Sequence, residues 1–441
     1  MENRKSALVF FILFLVLTPI SATAEVPGKI TIEAGGHSRI DTPVCVSLGD
    51  LGDCLSDSNL QLVEVKDSQR LPVTSQLEPG GSPRLWWILS GTTPAGDKRI
   101  YELVKDSSVD KSASGSCLER INTARTQGAE SAVEVQKNDS FSQIRIGQNN
   151  VLQYNSTPVP PPAGADVNYT RGAFIHPLWS PSGAVLTEIH SPGHIHHMGI
   201  WMPWTKTKYK DREINFWDLK DGGGTVRFVK FISTASGPVY GGFQVQHEHV
   251  ALKAGRVEDV VLNEIWDVRV YNTGGQEKGY WLWDFVSTQH CATDSPLHLY
   301  EYRYGGLGFR ATGEWKQGNC DYLTSEGRTR IDGHATRARW CDMFGVTGKD
   351  WAGVTIMSHP ANFRHPEPMR IWPEGNIFFN FAPSLLGDWE MEPGRDYVFR
   401  YRFYVHQGKV IVADAERLWD DFAEPPKVKL EKMLEAAVKN N

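Results

Sequence analysis

The sequence predicts an all-β protein built as an antiparallel sandwich with a smaller β-sandwich ahead of it. Three observations carry that prediction. Short runs alternate polar and apolar residues with a period of two, the signature of strands with one buried face. Gly and Pro clusters separate those runs at regular spacing. The third observation is an absence: there is no G-x-G-x-x-G, no Walker loop and no strand–helix–strand rhythm, which removes the doubly wound nucleotide-binding folds.

Taken in order, the chain begins with Met1-Glu2-Asn3-Arg4-Lys5 and an apolar run from Ala7 to Leu17. Ser21-Ala22-Thr23-Ala24 follows. This is the pattern of a secretory signal peptide cut after residue 24, and the run is shorter than the ~20 residues of a membrane span. A periplasmic or extracellular location is therefore expected. Residues 25–160 are read as the smaller N-terminal sandwich. Its strands include Lys29-Ile30-Thr31-Ile32-Glu33 and Leu85-Trp86-Trp87-Ile88-Leu89, and residues 105–130 form a polar loop. Residues 161–422 are read as the main sandwich, with long alternating strands such as residues 260–271, 280–286 and 397–406. Residues 412–421 and 427–438 carry helical periodicity, so short C-terminal helices, the last within 423–441, are expected to close the chain.

The net charge of −6 and the absence of a basic stripe exclude nucleic acid as a partner. Six cysteines in an exported chain permit disulfides. Cys45 with Cys54 is the best local pair and Cys320 with Cys341 the second, although spacing does not fix connectivity. Oligomeric state is open.

The richest stretch is residues 190–204, with four of the 14 histidines and two of the 15 tryptophans. On an extended segment, His194 and His196 would share one face and His197 the other. An imidazole near neutral pH is an efficient proton-transfer group, so His194, His196 and His197 are the candidate acid–base residues. His194 and His196 are equally a candidate metal pair, for zinc or calcium, although nothing in the sequence requires a cofactor. Trp201 and Trp204 could stack on a sugar ring. Glu213 and Asp218 could pair with a histidine, though solvated surface is the commoner role for such residues. A second constellation, His359-Pro360-Ala361-Asn362-Phe363-Arg364-His365-Pro366, follows an apolar strand. It offers His365 as a further catalytic histidine, with Asn362 and Arg364 as substrate ligands. Arg310 and Arg339 could clamp an anionic group. Hydrolysis by paired carboxylates would draw on Glu188, Glu264, Asp284 or Glu301, among which the sequence does not choose.

Residues 175–183, the run Pro192-Gly193-His194-Ile195-His196-His197-Met198-Gly199, the pair Phe216-Trp217 and the 359–366 motif together resemble the bacterial family named methane oxygenase PmoA-like. The likeness spans residues 170–420. Two positions depart from the family pattern: Gly193 stands where that family has Asp, and Met198 where it has Arg. A methane oxygenase subunit would be membrane-integral and copper-bound, whereas no stretch after residue 24 is long and apolar enough to span. The resemblance implies instead a supersandwich of the galactose mutarotase-like type and a sugar or glycan as substrate. The expected activity is hydrolysis or β-elimination. A non-catalytic glycan-binding protein and a mutarotase-like sugar epimerase are the alternatives.

Overall fold

The computed structural model describes residues 26–49, 51, 60–79, 82–105, 132–253 and 256–433. The expected signal peptide, Cys54, Cys117 and most of the 105–130 loop lie outside these residues. Nearly all described elements are antiparallel strands. No helix among the described residues is long and apolar enough to cross a membrane.

The main body is two eight-stranded sheets packed face to face. One runs, in spatial order, Gly224–Ala235, Tyr240–Lys253, Arg256–Gly275, Tyr280–Cys291, Tyr397–Gln407, Asp350–Ser358, Trp340–Thr347, Cys320–Thr324. The other runs Met369–Ile371, Phe378–Phe381, Gly308–Arg310, Ile200–Trp201, Phe174–Leu178, Asn149–Asn155, Phe141–Ile146, Val133–Lys137. Alternation decides which side chains enter the space between them. Ile175, Ile200, Phe309, Phe379 and Phe381 point inward to Trp266, Trp283, Phe285 and Phe403, whereas Phe174, Trp201 and Phe378 point out from the second sheet. This is a supersandwich, as expected.

The smaller sandwich pairs a five-stranded sheet with a three-stranded one around Ile30, Ile32, Leu62, Trp87, Leu89, Tyr101 and Leu103. Its boundary differs from the expected one. Val133–Lys137, Phe141–Ile146 and Asn149–Asn155 hydrogen-bond into the second large sheet, so the main sandwich already includes residues 133–155.

The C-terminal expectation divides. Val412–Ala423 is a helix, with Ala415 and Leu418 packed on the first large sheet. The second expected helix is instead a strand over its described part. Lys427–Lys432 pairs antiparallel with Gly28–Glu33, setting Ile30 opposite Leu430 and Ile32 opposite Val428. Lys427-Val428-Lys429-Leu430-Glu431-Lys432 also alternates with period two, and an unpaired neighbouring edge decides between the two readings. The Cys320–Cys341 pairing is likewise corrected. Both cysteines are free, because strand register sets Cys320 opposite Gly345 and Cys341 opposite Thr324.

The outer face of the first large sheet is covered by the helix and the small sandwich. Trp86 meets Tyr240 and Tyr271, and the Arg269 guanidinium lies over Trp86 while bonding Glu78. A cavity of about 690 Å³ opens at this seam, and its charged lining is internally paired, Glu78 with Arg84 and Arg269, Asp267 with Gln244. Deeper in the seam, buried Asp421 accepts from Arg39 at 3.0 Å and from Thr42 Oγ1 at 2.9 Å. Thr42→Val keeps the shape and removes one donor to a buried carboxylate, so it is expected to cost about 2 kcal/mol in urea unfolding. An unchanged midpoint would show that Arg39 and Arg417 suffice for Asp421.

Candidate functional site

The outward face of the second sheet carries the histidine cluster. The hairpin of Ile189–Ser191 and His194–Met198 is turned by Pro192-Gly193, with Gly193 at φ +76° as a Pro–Gly turn requires. Its register shifts between Ile189 and Ser191: Ile189 faces Met198 while Ser191 faces His194. Three residues, Ile195 to His197, therefore oppose the single His190, which takes a left-handed φ of +51°. Such a bulge breaks the strict alternation.

The consequence overturns one expectation. His197 does not turn to the opposite face from His194 and His196. The His194 and His197 rings stack at 4.9 Å, and the His196 ring stands edge-on to His197 at 4.7 Å. His197 is buried between His194 and Phe378, with Trp201 beside it. Burial pushes its pKa well below the usual imidazole value. His197 is thus a neutral floor residue, while His194 and His196 stand above it, partly exposed.

Burial lowers the pKa of His196 to about 4, against the opposing pull of Asp218, whose Oδ2 lies 3.7 Å from Nδ1. His194 is also lowered, by burial and then by the Arg310 charge. Arg310 projects from the strand Gly308–Arg310. Its Nη2 donates to Ser191 Oγ at 2.5 Å, and Nε lies 3.5 Å from Glu188 Oε2.

From His194 and His196 a closed rim can be followed. His194 meets the Trp372 ring edge-on at 5.4 Å. The Arg370 guanidinium lies 4.8 Å over Trp372 and reaches His334 Nε2 at 3.0 Å. Arg303 acts on the charges of both Arg370 and His334, and lies over Tyr304 at 5.7 Å. Tyr304 packs on Trp217 at 5.3 Å, and Asp218, next in the chain, returns to His196. Trp201, Phe378 and Trp217 form the floor with His197. Gly308 is required beneath them, since a Cβ there would sit 2.6 Å from the Trp217 ring.

As a metal site the cluster is incomplete. His194 and His196 hold their rings 6.1 Å apart at 76°, and no group of three or more His, Cys, Asp or Glu among the described residues is arranged to hold an ion. Zinc needs at least three protein ligands as a rule and calcium needs oxygens, so two imidazoles fit neither on their own.

Several expected site residues stand elsewhere. Trp204 is in the inter-sheet core, its Nε1 donating to Gln289 at 2.6 Å. Trp201 is fully buried under His197 and offers no face to a sugar. The 359–366 segment does not wall the histidine cluster. Asn362 gives Nδ2 to Glu367 and to the Arg400 carbonyl and accepts from the Arg400 amide, which consumes its amide group. Arg364 holds the carbonyls of Pro383, Gly387 and Asp388. His365 bonds Ser358 and stacks on Trp419 of the C-terminal helix. Arg339 makes a two-pronged pair with Glu416 on the same helix. Asn362, His365 and Arg339 fasten the helix-covered end of the first sheet, and Arg364 ties the 359–366 segment to residues 383–388. Of the carboxylate candidates, Glu264 is buried in the core, Asp284 pairs with Arg402, Glu301 is exposed, and only Glu188 joins the site.

The departures from the expected pattern now have places. An added Cβ at Gly193 meets nothing within 4 Å, so the hairpin tip is open. Met198 is fully buried with Phe174, Trp201, Trp217 and Phe378, where an arginine would lack a partner. The residues not foreseen were Tyr304, Arg303, His334, Arg370, Trp372 and Phe378. Tyr302-Arg303-Tyr304 and Arg370-Ile371-Trp372 do carry a signal, aromatic and cationic residues interleaved.

The family model described as "Family of unknown function (DUF6807)" matches residues 142–420. The name methane oxygenase PmoA-like finds no support in that match, and the resemblance is corrected accordingly. No curated protein matches the chain. Among solved structures, the chain is similar to an alpha-mannosidase from Enterococcus faecalis V583, at 11% identity and a TM-score of 0.43, over 92% of this chain and 46% of that one. It is also similar to the heparan sulfate lyase HepC from Pedobacter heparinus, at 10% identity and a TM-score of 0.32, over 63% of this chain and 37% of that one. The chain thus spans under half the length of either. Both neighbours are carbohydrate-active enzymes.

Proposed function

The chain belongs to the family of unknown function DUF6807, and from its rim geometry we propose that it is an exported carbohydrate-active enzyme that cleaves an acidic glycan by β-elimination. Export rests on the apolar run of residues 7–17. The observation that carries the reaction is His196: an imidazole kept neutral by burial, beside Asp218, within reach of the charge of the buried Arg310 guanidinium.

Elimination needs a base for the proton next to a carboxylate or carbonyl, and a cation for the negative charge that develops there. His196 is the base. Asp218 steadies the imidazolium that forms. The electron pair left by the C–H bond becomes a C=C bond, and the C–O bond on the adjacent carbon breaks. The departing oxygen takes a proton. Tyr304, on the rim against Trp217, supplies it, and once product leaves Tyr304 regains a proton from water as the His196 imidazolium loses its own. Arg310 faces the carboxylate, with Ser191 and Glu188 fixing the guanidinium. The products are an unsaturated sugar end and a new hydroxyl end.

The test is a panel of uronate-containing and neutral glycans, followed both for ultraviolet absorbance of an unsaturated product and for new reducing ends. Absorbance and reducing ends rising together on the acidic glycans are expected. Reducing ends without absorbance would overturn elimination in favour of hydrolysis, and binding without either product would leave a glycan-binding protein. The pH profile is a second check. The base must be unprotonated to act, and its pKa is lowered from the usual 6.5 to about 4. The acid limb of kcat/KM should therefore be centred near pH 4, with a plateau through neutrality. A limb near pH 6.5 would point to a solvated histidine instead.

A further inference from the structure

The rim holds a buried cationic group that the chain leaves without a carboxylate. Arg370 is 8% exposed, yet its guanidinium bonds only His334 within the protein, and Nε is buried with no hydrogen-bond partner. Elsewhere the chain pairs its buried guanidinium groups with acids: Arg39 with Asp421, Arg269 with Glu78, Arg402 with Asp284. Where it does not, as at Arg330, backbone carbonyls take their place. Beside Arg370 the chain adds a second cation instead. Arg303 raises the cost of the Arg370 charge, and its side chain is exposed on the rim above Tyr302 and Tyr304. A desolvated guanidinium with an open donor, next to another, is an arrangement that an anion completes.

The place is fixed by the sheet. Arg370 pairs across the strands with Asn380, and Asn380 with Gly308, so Arg370 rises from the same outward face as the floor residues. Trp372 spans the interval, with the guanidinium over its face and His194 at its edge. The half-buried indole is the one large aromatic face between the two groups.

We propose that Arg370, Arg303 and His334 form a subsite for an anionic oxygen group, carboxylate or sulfate, on the sugar unit next to the one that reacts, with Trp372 as the stacking surface between them. This rests on the reading of the rim as a glycan site and deepens it: the substrate carries acidic groups on successive units. Arg310 and Arg370 then read two different charges, and a neutral glycan satisfies neither.

The test measures binding by calorimetry in the His196→Ala background, so that no turnover interferes. The probes are tetrasaccharides of polygalacturonate, of its methyl ester, of heparin, and cellotetraose. Arg370→Gln removes the charge, and the Arg303→Gln/His334→Ala pair removes only exposed groups, so one of the two keeps its fold. An acidic probe is expected to bind at least tenfold more tightly than its neutral counterpart, and either variant should cut that margin at least threefold, Arg310 keeping the remainder. Polygalacturonate preferred over its methyl ester assigns a carboxylate, and heparin preferred over both assigns a sulfate. Equal affinity for acidic and neutral probes overturns the subsite and the acidic substrate together and leaves a site for neutral glycans. A margin that survives in both variants, with melting temperature unchanged, also overturns it. Binding of no probe at all sinks the glycan reading together with the subsite.

Discussion

Replacing His196 with alanine is expected to lower kcat/KM for unsaturated product by about 10²–10⁴-fold, the range contributed by a positioned acid–base group. The imidazole is the one rim group both neutral at working pH and faced by a carboxylate, so nothing nearby can stand in for it. His194 is open to the same surface but meets Trp372 and His197 instead of an acid. Asp218→Asn should have a smaller effect and a different one. The Asp218 charge raises the His196 pKa, so its removal should move the acid limb further down while reducing kcat. A merely structural Asp218 would lower activity at every pH alike. His196→Ala retaining activity within about threefold would remove His196 from the reaction, since a lost proton-transfer group costs far more than that.

The second large effect is expected on stability. Glu264 is fully buried between the sheets and is the acceptor for four side chains. Trp266 Nε1, Ser287 Oγ and Gln289 Nε2 donate to Oε1 at 2.7, 2.6 and 2.8 Å, and His249 Nε2 lies 2.9 Å from Oε2. Burial raises the carboxyl pKa, and the hydrogen bonds and charges of His247 and His249 outweigh it and hold the pKa below its usual value. Removing the carboxylate strands its donors and leaves the buried Arg171 charge with less to balance it. Glu264→Ala is therefore expected to cost about 3–5 kcal/mol, as when one member of a buried charged set is deleted. Urea unfolding measures it, and a loss below about 1 kcal/mol would show that the donors find other acceptors. The effect should reach the site as well. Arg171 donates to the carbonyls of Phe216 and Trp217, and His249 packs on Phe216, so the network supports the backbone that presents Asp218.

The fold class was legible because alternation is a local property. Long runs such as residues 260–271 show one buried face whatever their partners are. The C-terminal strand was not legible, because Lys427–Lys432 satisfies both periods and only its partner, nearly 400 residues earlier, chooses. The site was half legible. His194, His196 and Arg310 were named from composition and motif, and they do meet. The shared orientation of His197 depends on a bulge, which a strict two-residue period cannot express. The 359–366 motif misled for a physical reason: polar residues that close a strand end are as apt for bonding backbone as for bonding ligand. Asn362 and Arg364 spend their donors on carbonyls, which sequence cannot show. Arg370 was missed because the signal it shares with Trp372 spans only three residues and does not say which face of which sheet they occupy.

The pairing of Lys427–Lys432 with Gly28–Glu33 has a consequence for how the chain is made. The small sandwich precedes the main one in the sequence, yet its five-stranded sheet receives an edge strand only when Lys427–Lys432 arrives. Until then Gly28–Glu33 presents open backbone donors and acceptors along one side, a template on which other chains can add. Domains emerging from a ribosome ordinarily fold in order, first made and first finished. Here a unit made early stays unfinished until Lys427–Lys432 is made, and the two strands must meet before either edge is covered.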